Sequence, residues 1–209
     1  RLSAGPLLQG LGLTLKISAV SLVLAFTIGL VTALLRLSDS LVGRAVARLY
    51  LEAIRNTPML VQLFVIYFIL GPILNIERFL SAVLALSLFE GAYASEVFRA
   101  GIVSIHKGQW QACHSLGLST VDTYRFVILP QAVRRILPPL TSQAVSLIKD
   151  SSLVSMVSLT DLTLQASIVV SETFLPFEIW FTTAAIYLVV TVSLSTAVNR
   201  MERRFQIAS

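Results

Sequence analysis

The sequence predicts an all-α membrane protein: five transmembrane helices and a folded loop on the cytoplasmic side, in one domain covering 1–209. Three observations carry this. Of 209 residues, 56% are apolar and only 13% charged, against about 45–50% and about 25% in soluble domains. With a mean hydropathy of +0.82, a soluble sphere of this size has too few charges to cover its apolar surface. A soluble enzyme, a disordered chain and a disulfide-stapled secreted module are thereby excluded. Second, five apolar stretches reach the roughly 20 residues that cross a hydrocarbon core about 30 Å thick. Third, the basic residues gather on alternate loops.

The first stretch, 7–35, is interrupted only by Lys16 near its outer end. The second, 56–76, holds no charge and is expected to extend back as a helix through Arg44. The third, 79–105, is apolar until Glu90 and Glu96. The fourth lies within 136–171 and is interrupted by Lys149 and Asp150; the fifth covers 177–198. Counts of four or six also fit, because the fourth stretch is long and broken.

Charge sets the orientation. Arg36, Arg44, Arg48 and Arg55 follow the first span; Arg99, Lys107, Arg125, Arg134 and Arg135 lie between the third and fourth; Arg200, Arg203 and Arg204 close the chain. The opposite side holds Arg1 and Arg78, with Glu77, Glu172 and Glu178 nearby. Basic residues favour the cytoplasm, so the start is expected outside and the Arg204 end inside. The net charge of +5 is then explained by topology, and no nucleic-acid partner is expected. Cys113, the single cysteine, has no internal disulfide partner, and His106 and His114 are too few for a metal site. Arg1 is read as a fragment boundary. No cleavable leader is expected, since the first apolar run is long enough to span.

The segment 106–135 is too long and too periodic for a simple connection. Trp110, Cys113, Leu116 and Gly117 share one helical face, and Lys107, Gln111 and His114 another. Ser119 is expected to cap a second helix through Tyr124 and Val127, which Leu129–Pro130 ends or bends. Pro138 and Pro139 would then start the next span. Two short helices joined at a glycine form a shaped knob suited to docking another protein. An amphipathic pair resting on lipid headgroups gives the same pattern.

In QACHSLGLSTVDTYRFVILP, residues 111–130, Ala112, Gly117, Leu129 and Pro130 match the spacing of a known motif. The segment resembles the "EAA" loop of ABC-importer membrane subunits, with Gln111 in place of Glu, Cys113 of Ala and Val127 of Ile. The first change removes a carboxylate. RNTPMLVQLFVIYF (55–68), GAYASEVFRAGI (91–102), GQW (108–110), LPQAVRRILPPL (129–140) and SLIKDSSL (146–153) look like the polar-amino-acid branch of that family, whose members carry histidine, glutamine or arginine.

The resemblance implies a non-catalytic half-pore in the bacterial inner membrane. It pairs with a second, identical or homologous, permease subunit, docks two ABC ATPases, and receives an amino acid from an extracytoplasmic binding protein. No Gly-x-x-x-x-Gly-Lys-Ser/Thr loop occurs in the chain, so Mg-ATP is expected on the partner ATPase and no cofactor here. The resemblance assigns ATPase coupling to Gln109, Trp110, Gln111, Ala112, Cys113, Leu116, Gly117, Leu118, Leu129 and Pro130. Trp110 and Leu116 would be the apolar anchors and Gly117 the turn.

A charge within a span costs about 2.5–3.5 kcal/mol at its centre, so each needs a reason. Glu90, with Tyr93 a turn further on, either walls the pathway against a cationic group or forms a structural pair. Lys149–Asp150, followed by Ser151, either opens the helix at a substrate site or sends its charges to different neighbours. Arg55 is expected as a cytoplasmic anchor, and Gln62, a turn inside Pro58, is a pore-lining candidate. Two rivals remain at this point. An ATP-independent transporter or channel leaves the knob without a task, and a non-transporting scaffold leaves Glu90 and Lys149–Asp150 without one.

Overall fold

The computed structural model describes residues 4–207. Arg1 and the side chains of Arg203 and Arg204, used above to weigh charge, lie outside the described residues. Among the described residues every element is helical. Helix α1 is Ala4–Leu37, and α2, Leu41–Arg55, starts at Ser40, whose hydroxyl accepts from the Gly43 amide at 3.0 Å. Helix α3 is Met59–Leu74, α4 is Arg78–Val103 and α5 is Lys107–Ser115. Helix α6 runs Thr120–Val157, α7 Leu162–Thr173 and α8 Pro176–Ile207.

Helices α1, α4 and α8 are each long and apolar enough to cross a bilayer. The pairs α2–α3 and α6–α7 qualify only as bent units, with angles of 106° and 53°. Three straight helices are thus candidate crossings, and the expected five are reached when each bent pair is counted as one span. The expected continuation of the second span back through Arg44 does not occur. Pro58 lacks an N–H and pushes Thr57 out of helical geometry, so the chain turns sharply there. The freed carbonyls are taken locally: Thr57 Oγ1 donates to Ala53 O at 2.8 Å and Gln62 Nε2 to Ile54 O at 2.7 Å.

Two helices contain a π segment, and each ends just before a proline. Val65–Leu70 precedes Gly71–Pro72, and Thr123–Ile128 precedes Leu129–Pro130. A proline ring collides with the carbonyl four residues back in a regular helix. Widening the turn relieves this: the Gly71 amide reaches Ile66 O and the Leu129 amide reaches Tyr124 O, each five residues back. Of the two expectations for Leu129–Pro130, that it ends or bends the helix, the ending does not occur: α6 continues through it with a widened turn. Pro138 and Pro139 fall inside α6 rather than at its start.

Helix α1 packs along α4. The seam uses small side chains, with Ala25, Ala33, Ala82, Ala85, Ala92 and Ala94 all buried. Lipid supplies no hydrophobic drive between helices, so close packing of small residues is what holds such a seam. Ser87 Oγ adds a bond across it to Ser21 O at 3.2 Å. The outward faces are oily: Phe177, Phe181, Leu188 and Val189 of α8 are exposed, as a lipid-facing helix requires.

Candidate functional site

Helix α5 is fastened at both ends. His106 Nδ1 accepts from the Gly108 amide at 3.0 Å. At the other end Leu118 N–H reaches Cys113 O and Gly117 N–H reaches His114 O, both at 3.0 Å. This is the Schellman arrangement, which needs a left-handed residue after the cap; Gly117 supplies it at φ +70°. Ser119 caps the following turn by accepting from Asp122 N–H at 3.1 Å.

The expected single face of Trp110, Cys113, Leu116 and Gly117 splits in two. Cys113, 3% exposed, points inward. Trp110 is half-buried, meets Tyr124 edge-on at 5.1 Å, and packs on the cluster holding Ile102, Ile105, Ile128 and Ile136. The regular helix stops at Ser115, so Leu116 leaves that face and stands 79% exposed. Val121, 72% exposed, and Phe126 also stand out. Gln111, Ala112, Leu129 and Pro130 are exposed, and Leu118 is half-buried. Gln109 is exposed and accepts from Gln131 Nε2 at 3.3 Å, tying α5 to α6. Arg135 Nη1 binds Ser104 O at 2.6 Å and closes the base. The result is a rigid, externally apolar knob.

The intramembrane residues divide differently from the sequence grouping. Glu90, 1% exposed, accepts from Gln143 of α6, and Asp150 interacts with the same carboxyl. Ser151 is buried at the following position, its hydroxyl turned back to Ile148 O at 2.7 Å. Lys149 is exposed, so the two adjacent charges go to different surroundings. The helix does not open at that point. It tightens to 3-10 winding over Ser151–Val157 and breaks only after Ser158, at φ +59°. Serine back-bonds to carbonyls three residues earlier, from Ser151 and from Ser155 to Ser152 O at 2.7 Å, suit that tighter winding.

Gln62 is buried, and its amide donates to Ile54 O at 2.7 Å and Thr57 O at 3.0 Å. It locks the α2–α3 bend. Tyr93 sits apart from Glu90's partners, on a cleft of about 710 Å³ together with Arg36, Arg55, Glu96 and Arg99. The Arg55 guanidinium lies 5.5 Å from the Tyr93 ring centre.

Sequence reasoning missed Gln143 and the role of Glu96. Gln143 had one signal, the only amide in the uncharged run 136–148. Glu96 is a hub: it binds Arg36, Arg55 at 3.3 Å and Arg99 at 3.0 Å. Only the Arg99 spacing, three residues on along one helix, was readable.

The comparisons agree with this architecture. Residues 25–207 match the model of a family described as binding-protein-dependent transport system inner membrane component. The glutamine transport system permease protein GlnP of Escherichia coli (strain K12) is 40% identical over 204 residues, 96% of this chain and 93% of that protein. The L-cystine transport system permease protein TcyB of Bacillus subtilis (strain 168) is 40% identical over 203 residues, covering 95% and 86%. A crystal structure of an amino acid ABC transporter with histidines superposes with a TM-score of 0.90 at 38% identity, over 96% of this chain and 94% of that one.

Proposed function

Since the chain belongs to the family of binding-protein-dependent transport system inner membrane components, a non-catalytic, multi-pass part of an ABC importer, we propose that it forms half of a pathway for polar amino acids. The whole of 1–209 serves as one permease domain. Its partners are a second permease subunit, identical or homologous, two ATPases that hold Mg-ATP, and an extracytoplasmic binding protein that delivers the amino acid. The start faces outward and the α8 end inward, in keeping with the basic residues on the α1–α2 and α4–α6 connections. The ATP-independent rival has nothing in its favour among the relatives.

The observation that carries the reading is the loop 106–130, which presents Leu116 outside a clamp formed by the half-buried Trp110 and by Tyr124. A groove on the ATPase takes Leu116, Gln111 and Ala112, while Gly117, Leu118, Leu129 and Pro130 hold the shape. Movement of the ATPases passes to α6 through the Trp110–Tyr124 contact and the Gln109–Gln131 bond, and the spans convert this into alternating access. Deeper in the membrane, Glu90 and Asp150 form an anionic pair for an ammonium group, with Gln143 as orienting amide and Lys149 and Ser151 beside them. The relatives named for glutamine and cystine support such cargo.

Reconstitution tests this. The chain, its ATPase and its binding protein in vesicles should accumulate an amino acid only with ATP inside the ATPase compartment. Uptake by the chain without an ATPase would remove the reading.

A further inference from the structure

The cleft beside Glu96 has features that neither the coupling loop nor the buried carboxylates use. Its walls bring together Arg36, Arg44, Arg48, Arg55 and Arg99 from three helices, against only Glu52 and Glu96. Glu96 is shared by Arg36, Arg55 and Arg99. Among the described residues Arg44 and Arg48 have no carboxylate partner; Arg44 reaches only Ser38 O, at 3.5 Å. Five guanidinium groups against two carboxylates leave an excess of positive charge around about 710 Å³, and guanidinium forks match phosphate oxygens in pairs.

Helix α2 adds a second, independent feature. It carries three stripes: Ala47 and Leu51 buried against the bundle, Arg44, Arg48 and Arg55 on the cleft, and Val42, Val46 and Leu49 exposed. It turns 106° from α3, as a helix lying across the end of a spanning helix does. An exposed apolar stripe on a basic helix is the pattern of a bilayer interface. A phospholipid answers both features at once, with phosphate on the arginines and acyl chain on Val46 and Leu49. A free phosphate answers only the first.

The geometry points to a binding site for the phosphate of an anionic phospholipid in the cleft formed by Arg36, Arg44, Arg48, Arg55 and Arg99. Its assignment to the cytoplasmic leaflet rests on the orientation proposed above; the binding itself does not, so a direct binding measurement separates the two.

The purified full transporter is titrated with phosphatidylglycerol in phosphatidylcholine nanodiscs, and retained lipid is counted by native mass spectrometry. Arg44→Gln with Arg48→Gln should weaken phosphatidylglycerol retention by about tenfold or more, since each basic residue near an anionic surface contributes measurably. Arg44→Lys with Arg48→Lys, which keeps the charge but loses the fork, should retain clearly less than the unaltered protein and more than the Gln pair. Should the Gln pair fail to assemble, the Lys pair and a salt series on the unaltered protein decide, because retention must fall between about 0.05 and about 0.5 M salt. In a separate arm, inorganic phosphate is added to the unaltered protein in phosphatidylcholine alone. No saturable binding there assigns the site to lipid; saturable binding lost in the Gln pair assigns the same arginines to soluble phosphate and overturns the lipid. Equal retention by all variants, or retention indifferent to salt, overturns the site.

Discussion

At Gly117 the backbone sits at φ +70° with nothing within 4 Å of where a Cβ would stand. Space is therefore not the constraint; conformation is. A β-branched residue there meets a left-handed penalty of about 1–3 kcal/mol. Gly117→Val is expected to reduce ATPase association in pull-down while leaving membrane insertion intact, and Gly117→Asn to do so less. Trp110 and Leu116 should separate cleanly. Trp110→Ala removes the contact with Tyr124 and loosens α5 by about 1–2 kcal/mol, visible as new proteolysis within 107–118. Leu116→Ser leaves protease resistance unchanged but weakens the ATPase complex. For Glu90→Gln, the amide can still meet Gln143, so assembly should persist. Loss of a charge-assisted bond lowers uptake roughly tenfold; unaltered uptake of every amino acid tried would reduce Glu90 to a packing role. At this scale the sequence was informative where geometry is local. Gly117, the Ser119 cap and the odd charge at Glu90 all stood out. The partners of Glu90 did not, because Gln143 lies 53 residues away and periodicity carries no information across that separation.

Among the elements, the straight spans were legible and the bent ones only in outline. Helices α1, α4 and α8 follow from apolar length broken by no more than isolated charges. The breaks were misplaced by competing terms. Pro58 outweighed the helix-forming run before it, while Pro130, Pro138 and Pro139 failed to stop α6 because a π turn and a long buried face accommodate them. The α4–α6 contact is the tightest testable junction. A Cβ on Gly101 would stand 2.1 Å from Ile136 Cγ1, so Gly101→Ala should destabilise by about 1–3 kcal/mol. Adding Ile136→Ala should recover part of that in thermal unfolding; simple additivity of the two losses would show that the helices are not in that contact.

Across the molecule, the charge asymmetry and the hydropathy together gave a five-crossing topology with the knob on the basic side. The central claim is that α5 seats in a separate ATPase. Its most direct measurement is a thiol cross-link from Leu116→Cys to cysteines placed along the ATPase groove, in the assembled transporter. Cys113, the only native thiol, is buried and leaves the background low. A disulfide that forms at Leu116→Cys, and whose yield shifts when ATP is added, is the predicted result. A thiol at that position that labels freely from outside the cell, or never cross-links while uptake proceeds, contradicts the account.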